Sequence, residues 1–301
     1  MEETAPSRRL LLATTFALAL AGTLRQQPVL ADDFKMGLLV PGSIGEEGWN
    51  RIASDALKWV EKDLDATISH VELRENPAAF EKAFRDYAGQ GYDAVLGHGF
   101  RFQDAALTAA EDFPDTVFLI SSSHVHQGKV IGLNTDASQP FCRMGAIAAK
   151  MGKRAGLIGG MEIPPIAQTF EGFRNGARSV NADVPVSIVY LGSFTDASAA
   201  KEAAFRVISQ GAATFSVYSD YTRAAPQNVL GTFLADYGQS IVGIKNGKVP
   251  ESNVDFGLKD IDVIRFTYDD GATRSVPADL HHYIEEVSTK IVSGEIQTRA
   301  K

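Results

Sequence analysis

Two patterns of apolar and polar residues alternate along most of the chain. Short runs that are apolar at nearly every position, FKMGLLV (34–40), ATISHVEL (66–73) and DAVLGHG (93–99), are each followed by a segment whose apolar residues recur three and four apart. Those segments are WNRIASDALKWVEKD (49–63), PAAFEKAFRDYAGQG (77–91) and FQDAALTAAEDF (102–113). The first pattern predicts strands buried on both faces and the second amphipathic helices. TVFLISS (116–122) and KVIGLNT (129–135) add two strands, and SQPFCRMGAIAAKMG (138–152) leads into a second series. There RAGLIGG (154–160) precedes IAQTFEGFRNGARSV (166–180), and PVSIVYLGS (185–193) precedes DASAAKEAAFRVISQG (196–211). Repeated βα units of this length imply parallel sheets flanked by helices, here two similar open α/β lobes joined near 134–140.

In such sheets ligands sit beyond the carboxyl ends of the strands. The first of these ends reads PGSIGEEGWN (41–50), three glycines at spacings of three before an aromatic and an amide, which is not the GxGxxG of a dinucleotide loop. Trp49, Phe100 and Phe194 each follow a glycine-bearing strand end, in GEEGWN, GHGF and LGSFTD, and His98 lies within the second. Rings around a common cleft favour a flat, partly apolar ligand, since ring pairs gain about 0.5–1.5 kcal/mol beyond area burial. Each ring could equally cap the core of its own lobe. Asn50, Asn134, Asp136, Asp196 and Asp220 could supply orienting hydrogen bonds, although Asp196 stands where a helix N-cap belongs.

The first residues change the picture of where the chain works. Arg8 and Arg9, an apolar run over 10–24 and the small-residue site Val29-Leu30-Ala31 make the three parts of an export signal covering 1–31, cleaved after Ala31, by the general or the twin-arginine route. With no cysteine near Ala31 no lipid anchor is expected there, and the mature protein is expected in the periplasm of a two-membrane host. Removing 1–31 takes away three Arg and two Glu, leaving 26 basic and 35 acidic residues, a net charge of −9. That balance offers no electrostatic footprint for nucleic acid or anionic lipid. The single cysteine, Cys142, allows no internal disulfide and sits on a helix face as a packing residue.

Enzyme chemistry finds little support. SSSHVH (121–126) offers Ser122 with His124 and His126, but GxSxG is absent and no third metal ligand stands at suitable spacing. No cofactor loop is present, and none is expected to bind. His281 and His282 fall on a terminal helix pattern, DLHHYIEEVSTKI.

Taken in order, GSIGEEGWN, YDAVLGHGFRFQDAA, FPDTVFLI, GLIGGMEIPPIAQTFEGFRNGA, YLGSFTDASAAKEAA, YSDYTRAAPQNVLGT and VPADLHHYIEEVSTKIVSGEI resemble the basic membrane protein family over nearly the whole mature chain. These are substrate-binding proteins of ABC importers, related to purine nucleoside receptor lipoproteins. The resemblance implies a two-lobed type I periplasmic binding fold, a first lobe of 32–136 plus about 233–252 and a second of 137–232 plus about 253–301. It implies a purine-like small-molecule ligand and an ABC permease as partners. It also implies hinge closure at the crossovers near 134–140 and after about residue 230. By the same likeness Trp49 stacks on the ligand and Asn50 follows it, and Glu46 takes the place of a frequent Asp. Phe100 and Phe194 complete the apolar walls, while Asp136 and Asp220 match acidic positions, so the expected ligand contacts are Glu46, Trp49, Asn50, His98, Phe100, Asp136, Phe194 and Asp220. Where nucleoside receptors carry an acid thought to hold the ribose, this chain has Val40 or Pro41, which leaves a nucleobase or another flat heterocycle open. Ala235 stands where relatives often have lysine.

A larger departure falls at ISQGAATFSVYSDY. Relatives place a strand, a glycine-rich loop and a helix between the equivalents of Gly211 and Thr214, so about 25 residues, half a βαβ repeat, are absent. Either TFSVY closes the second sheet in the vacated place, or the copy is damaged. Two other functions remain possible on this reading: a sensor that reports occupancy to a membrane receptor, and a hydrolase acting on a bound nucleoside.

Overall fold

Seven strands from both ends of the chain form the largest sheet of the computed structural model, which describes residues 33–45, 48–74, 76–151, 154–194, 196–212, 214–217, 229–261, 263–268 and 278–299. They are β1 (Lys35–Pro41), β2 (Thr67–Leu73), β3 (Ala94–Gly97), β4 (Val117–Ser121), β5 (His126–Gln127), β6 (Val130–Thr135) and β11 (Val254–Phe256). The order is β11-β6-β4-β3-β1-β2, parallel throughout, with β5 antiparallel on β6. Helices α1 (Trp49–Leu64) and α7 (Gly238–Lys245) cover one face, where Ala53, Leu57, Val60, Ile241 and Ile244 meet Met36, Leu38 and Val40. Helices α2 (Pro77–Gly89) and α3 (Gln103–Ala110) cover the other, where Phe80, Phe84 and Ala106 meet Leu39, Val95 and Phe118. Cover on both faces is why the central strands read as continuous apolar runs.

The second lobe carries α4 (Ser138–Lys150), β7 (Ala155–Gly159), α5 (Pro164–Val180), β8 (Val186–Tyr190), α6 (Ala197–Ser209), β9 (Thr214–Val217), β10 (Val229–Ala235), β12 (Ile264–Tyr268) and α8 (Ala278–Val292). Its strands form two separate sheets, a parallel pair β7-β8 and a trio β12-β10-β9. Among the described residues no ladder joins them, so the TFSV segment pairs with β10 and leaves the free edge of β7 open rather than closing one sheet. The consequence shows in burial. Along β7, Ala155, Leu157 and Gly159 are buried while Gly156 and Ile158 are only half-buried, and all of β8 is half-buried, whereas β1 is buried from Met36 to Val40. Phe205, on α6, is 63% exposed.

What consolidates this lobe is the α4–α5 contact. Gly172 and Gly176, a G-x-x-x-G pair on α5, bring backbone against backbone: a Cβ at Gly176 would stand 1.8 Å from the Cys142 carbonyl oxygen, and one at Gly172 2.3 Å from that of Ser138. Cys142 is buried at this contact, where desolvation pushes its thiol up to about 12, so it packs as a protonated small hydrophobe.

Among the described residues three crossovers connect the lobes, at 135–138, 235–238 and just past Phe256. The first-lobe sheet therefore extends through β11, and β10 stays with the second lobe through Ala235. The crossovers are tied to one another: Asp136 N–H donates to the Phe256 carbonyl at 2.7 Å, Leu258 N–H to Gln139 Oε1 at 2.8 Å, and Thr135 Oγ1 to the buried Tyr237 hydroxyl at 3.1 Å.

Candidate functional site

In the first sheet β1 lies between β2 and β3, so the chain leaves β1 in one direction and returns in the other. A doubly wound sheet opens its ligand crevice at that switch, beyond the carboxyl ends of the two strands. The loops that leave those ends carry Trp49 and His98.

The loop after β1 is folded by side chains at both of its ends. The Asn50 amide donates to the carbonyls of Ser43 at 3.1 Å and Pro41 at 3.4 Å, and Glu72, at the end of β2, accepts from Ile44 N–H at 2.8 Å. Gly48, at φ 148°, then turns the chain into α1, and Trp49 becomes its first residue. Asn50 is thus buried and engaged with its own loop, where a ligand contact was expected.

His98 follows β3 directly and is fully buried. Its ring stacks on the Trp49 indole, with centroids 4.2 Å apart and planes 24° from parallel. Its Nε2 lies 2.9 Å from the Trp49 carbonyl oxygen and its Nδ1 2.9 Å from Ser121 Oγ. A carbonyl only accepts, so Nε2 carries the hydrogen and Nδ1 accepts from the serine hydroxyl. Burial lowers the imidazole pKa from 6.5 to about 4, and the ring is neutral at physiological pH. Ser121 Oγ also accepts from Gly99 N–H at 2.8 Å, which anchors the short 3-10 turn Phe100–Phe102. Phe100 is half-buried at the start of that turn, while Phe102 points inward against Phe80 and Phe84.

The opposing jaw is built from the ends of β7 and β8. Phe194 is 55% exposed, and its ring lies over Gly160, where a Cβ would come within 2.2 Å of Phe194 Cδ1. From the first lobe Arg101 Nη2 reaches Met161 Sδ at 3.4 Å, so the two lobes touch at this point.

The structure brings Trp49, Asn50, His98 and Phe100 to one end of the first sheet, and sets Phe194 at the corresponding end of the second lobe. Asp136 stands apart from them at the first crossover. Its Oδ1 accepts from Ser138 N–H at 3.2 Å and pairs with Arg299 Nη2 at 2.7 Å, and its Oδ2 accepts from Gln139 Nε2 at 3.3 Å. Asp196 caps α6 through Ala199 N–H at 2.9 Å. Glu46, Asp220 and the 1–31 segment lie outside the described residues.

Three groups at the site escape sequence reasoning: Ser121, Glu72 and Tyr237. Tyr237 is 1% exposed, bonds Thr135 and Ser122, and sets its ring 6.4 Å from that of His98. Ser122, the residue just past β4, is one of two non-glycine residues at positive φ among those described, at 55°. Runs of serine and a lone tyrosine carry no periodic signal that would single them out.

The profile of the PnrA-like ABC transporter substrate-binding proteins matches residues 34–217, well over half of the chain. A purine-binding protein of Brucella abortus is 24% identical, over 95% of this chain and 88% of its own length. An ABC transporter nucleoside-binding protein of Lactococcus lactis is 28% identical over 60% of this chain and 53% of its own. Among solved structures, a solute-binding protein of an Aeropyrum pernix ABC transporter superposes with a TM-score of 0.74 at 18% identity, covering 87% of this chain and 92% of its own. That profile, matched over more than half of a chain whose first sheet carries Trp49, His98 and Phe100 at one end, identifies the chain as a member of the PnrA-like family of ABC transporter substrate-binding proteins.

Proposed function

We propose that this protein captures a purine base or nucleoside between its two lobes outside the cytoplasmic membrane and presents it to the permease of an ABC importer. Trp49 stacks on the heterocycle, Phe100 and Phe194 close the apolar walls, and polar groups at the strand ends orient the edges. Residues 1–31 direct export to the periplasm and are removed after Ala31. Among the described residues no helix is long and apolar enough to cross a membrane. The protein binds and releases its ligand without turnover.

The observation that carries this reading is the Trp49 indole at the switch point, backed by a neutral imidazole rather than by an ionised group. A flat, uncharged ligand face is what such a surface complements. Among the described residues, the acidic side chain bonded to this loop is Glu72, which accepts from the Ile44 amide. The names of the Brucella and Lactococcus relatives point to the same ligand class.

Closure would be a hinge motion at the three crossovers, which are short and mutually hydrogen-bonded. Thermal unfolding in the presence of adenine, hypoxanthine, adenosine, inosine, glucose and ribose tests the proposal. Bases or nucleosides should raise the midpoint in a saturable way, by the equivalent of about 2.7 kcal/mol at a hundred times Kd. Stabilisation by the sugars alone would overturn it.

A further inference from the structure

We propose that His98 and Ser121 are positioning residues that together set both aromatic walls of the first jaw, Trp49 and Phe100. This rests on the purine-binding reading for what the walls hold, and on geometry alone for how they are held.

The connection is one unbroken chain of hydrogen bonds. Gly99 N–H donates to Ser121 Oγ at 2.8 Å, the Ser121 hydroxyl donates to His98 Nδ1 at 2.9 Å, and His98 Nε2–H donates to the Trp49 carbonyl at 2.9 Å. One end holds the residue before Phe100 and the other the first residue of α1. Between them lie only two side chains, both 0% exposed. Losing either partner leaves a buried polar group behind, and the polarity of each link is fixed by its neighbour. Ser121 therefore has one arrangement, accepting from Gly99 and donating to His98.

Histidine suits the position for a reason of shape. A neutral imidazole offers a donor on one nitrogen, an acceptor on the other and a flat ring between them. His98 uses all three, the ring being spent on the inner face of Trp49 at 4.2 Å. Trp49 is held at its backbone carbonyl while its indole stacks on the imidazole, so the ring's orientation is set before a ligand arrives. Preorganisation of this kind lowers the ordering cost of binding. Glutamine would keep a donor and an acceptor without the ring; phenylalanine would keep the ring without either bond.

The test uses the full-length mature chain in a Trp59→Phe background, so that Trp49 is the sole indole, with adenine and adenosine as probes. His98→Gln, His98→Phe and Ser121→Ala are compared for probe affinity and for the near-ultraviolet circular dichroism and emission of Trp49 without ligand. Each His98 variant should weaken binding roughly ten-fold, the factor of one lost stack or hydrogen bond, and should change the ligand-free Trp49 signal. Ser121→Ala should do both to a smaller degree. Native affinity and an unchanged Trp49 signal in folded His98→Gln and His98→Phe would overturn the proposal. If a His98 variant fails to fold, Ser121→Ala decides through the same two signals: a change in both supports the proposal, and native values of both overturn it. If the parent protein binds neither probe, the purine reading fails, while the ligand-free Trp49 signal still decides whether His98 positions the indole.

Discussion

Arg299, near the end of the described chain, reaches back over the first crossover and pairs with Asp136, Nη2 to Oδ1 at 2.7 Å. The carboxylate is 17% exposed and also holds Ser138 N–H and Gln139, so it works as a clamp on the start of α4. A segment fixed to the crossover in this way constrains the backbone that the proposed closure would rotate.

A double-mutant cycle of Asp136→Asn and Arg299→Gln, read by denaturant unfolding, should give a coupling of about 1 kcal/mol, discounted for the partly exposed guanidinium and smaller at high salt. Probe affinity should change in the same direction in both single variants, because each loosens the same hinge. A loss of affinity confined to Asp136→Asn would instead assign the carboxylate to the ligand.

The buried imidazole makes stability depend on pH. Unfolded His98 titrates near its ordinary 6.5 and the folded residue near about 4, so between those values the unfolded chain binds more protons and stability rises with pH. The contribution is fully present above about pH 6.5 and is lost as the pH falls toward 4, about 3 kcal/mol in all. Of the described groups that bond to or pair with the His98 ring, namely Trp49, Ser121 and Tyr237, the tyrosine alone titrates, and burial holds it above its ordinary value of 10, so it stays neutral in this window. Unfolding free energies measured from pH 4 to 7.5 should show this slope in the parent protein and a flatter one in His98→Gln.

The divided second lobe should be the softer one. Amides of β1, β3, β4 and β6 lie in a sheet covered on both faces and should exchange only through global unfolding, whereas β7, paired on one edge alone among the described residues, and β9 should exchange through local opening. Hydrogen exchange followed by mass spectrometry should therefore show the segments around 155–159 and 214–217 labelling well before 94–97 and 117–121. Equal protection of the two lobes would contradict a broken sheet.

How legible all this was varies with sequence separation. The central strands were readable because burial on both faces leaves LLV and VFLI as unbroken apolar runs, and Trp49 stood out as an aromatic beyond a glycine-rich strand end. The role of His98 was not readable, since its partners lie on β4 and at the start of α1 and meet it only once the sheet has formed. Asn50 and Asp136 look like ligand groups as residue types, and that pattern alone does not reveal that Asn50 Nδ2 also bonds local carbonyls and Asp136 Oδ1 a local backbone N–H. The family resemblance implies an absent βα unit, but the way the strands share two sheets depends on tertiary pairing that no local pattern encodes.

The most direct measurement follows tryptophan emission while adenine or adenosine is titrated into the mature protein. The chain has two tryptophans, and Trp59 packs against Gly238 at the start of α7, where a Cβ would come within 2.7 Å of its ring. Saturable quenching should persist in Trp59→Phe and vanish in Trp49→Phe. Saturable binding that leaves Trp49 emission unchanged, or quenching that survives in Trp49→Phe, would contradict a cleft in which this indole stacks on the ligand.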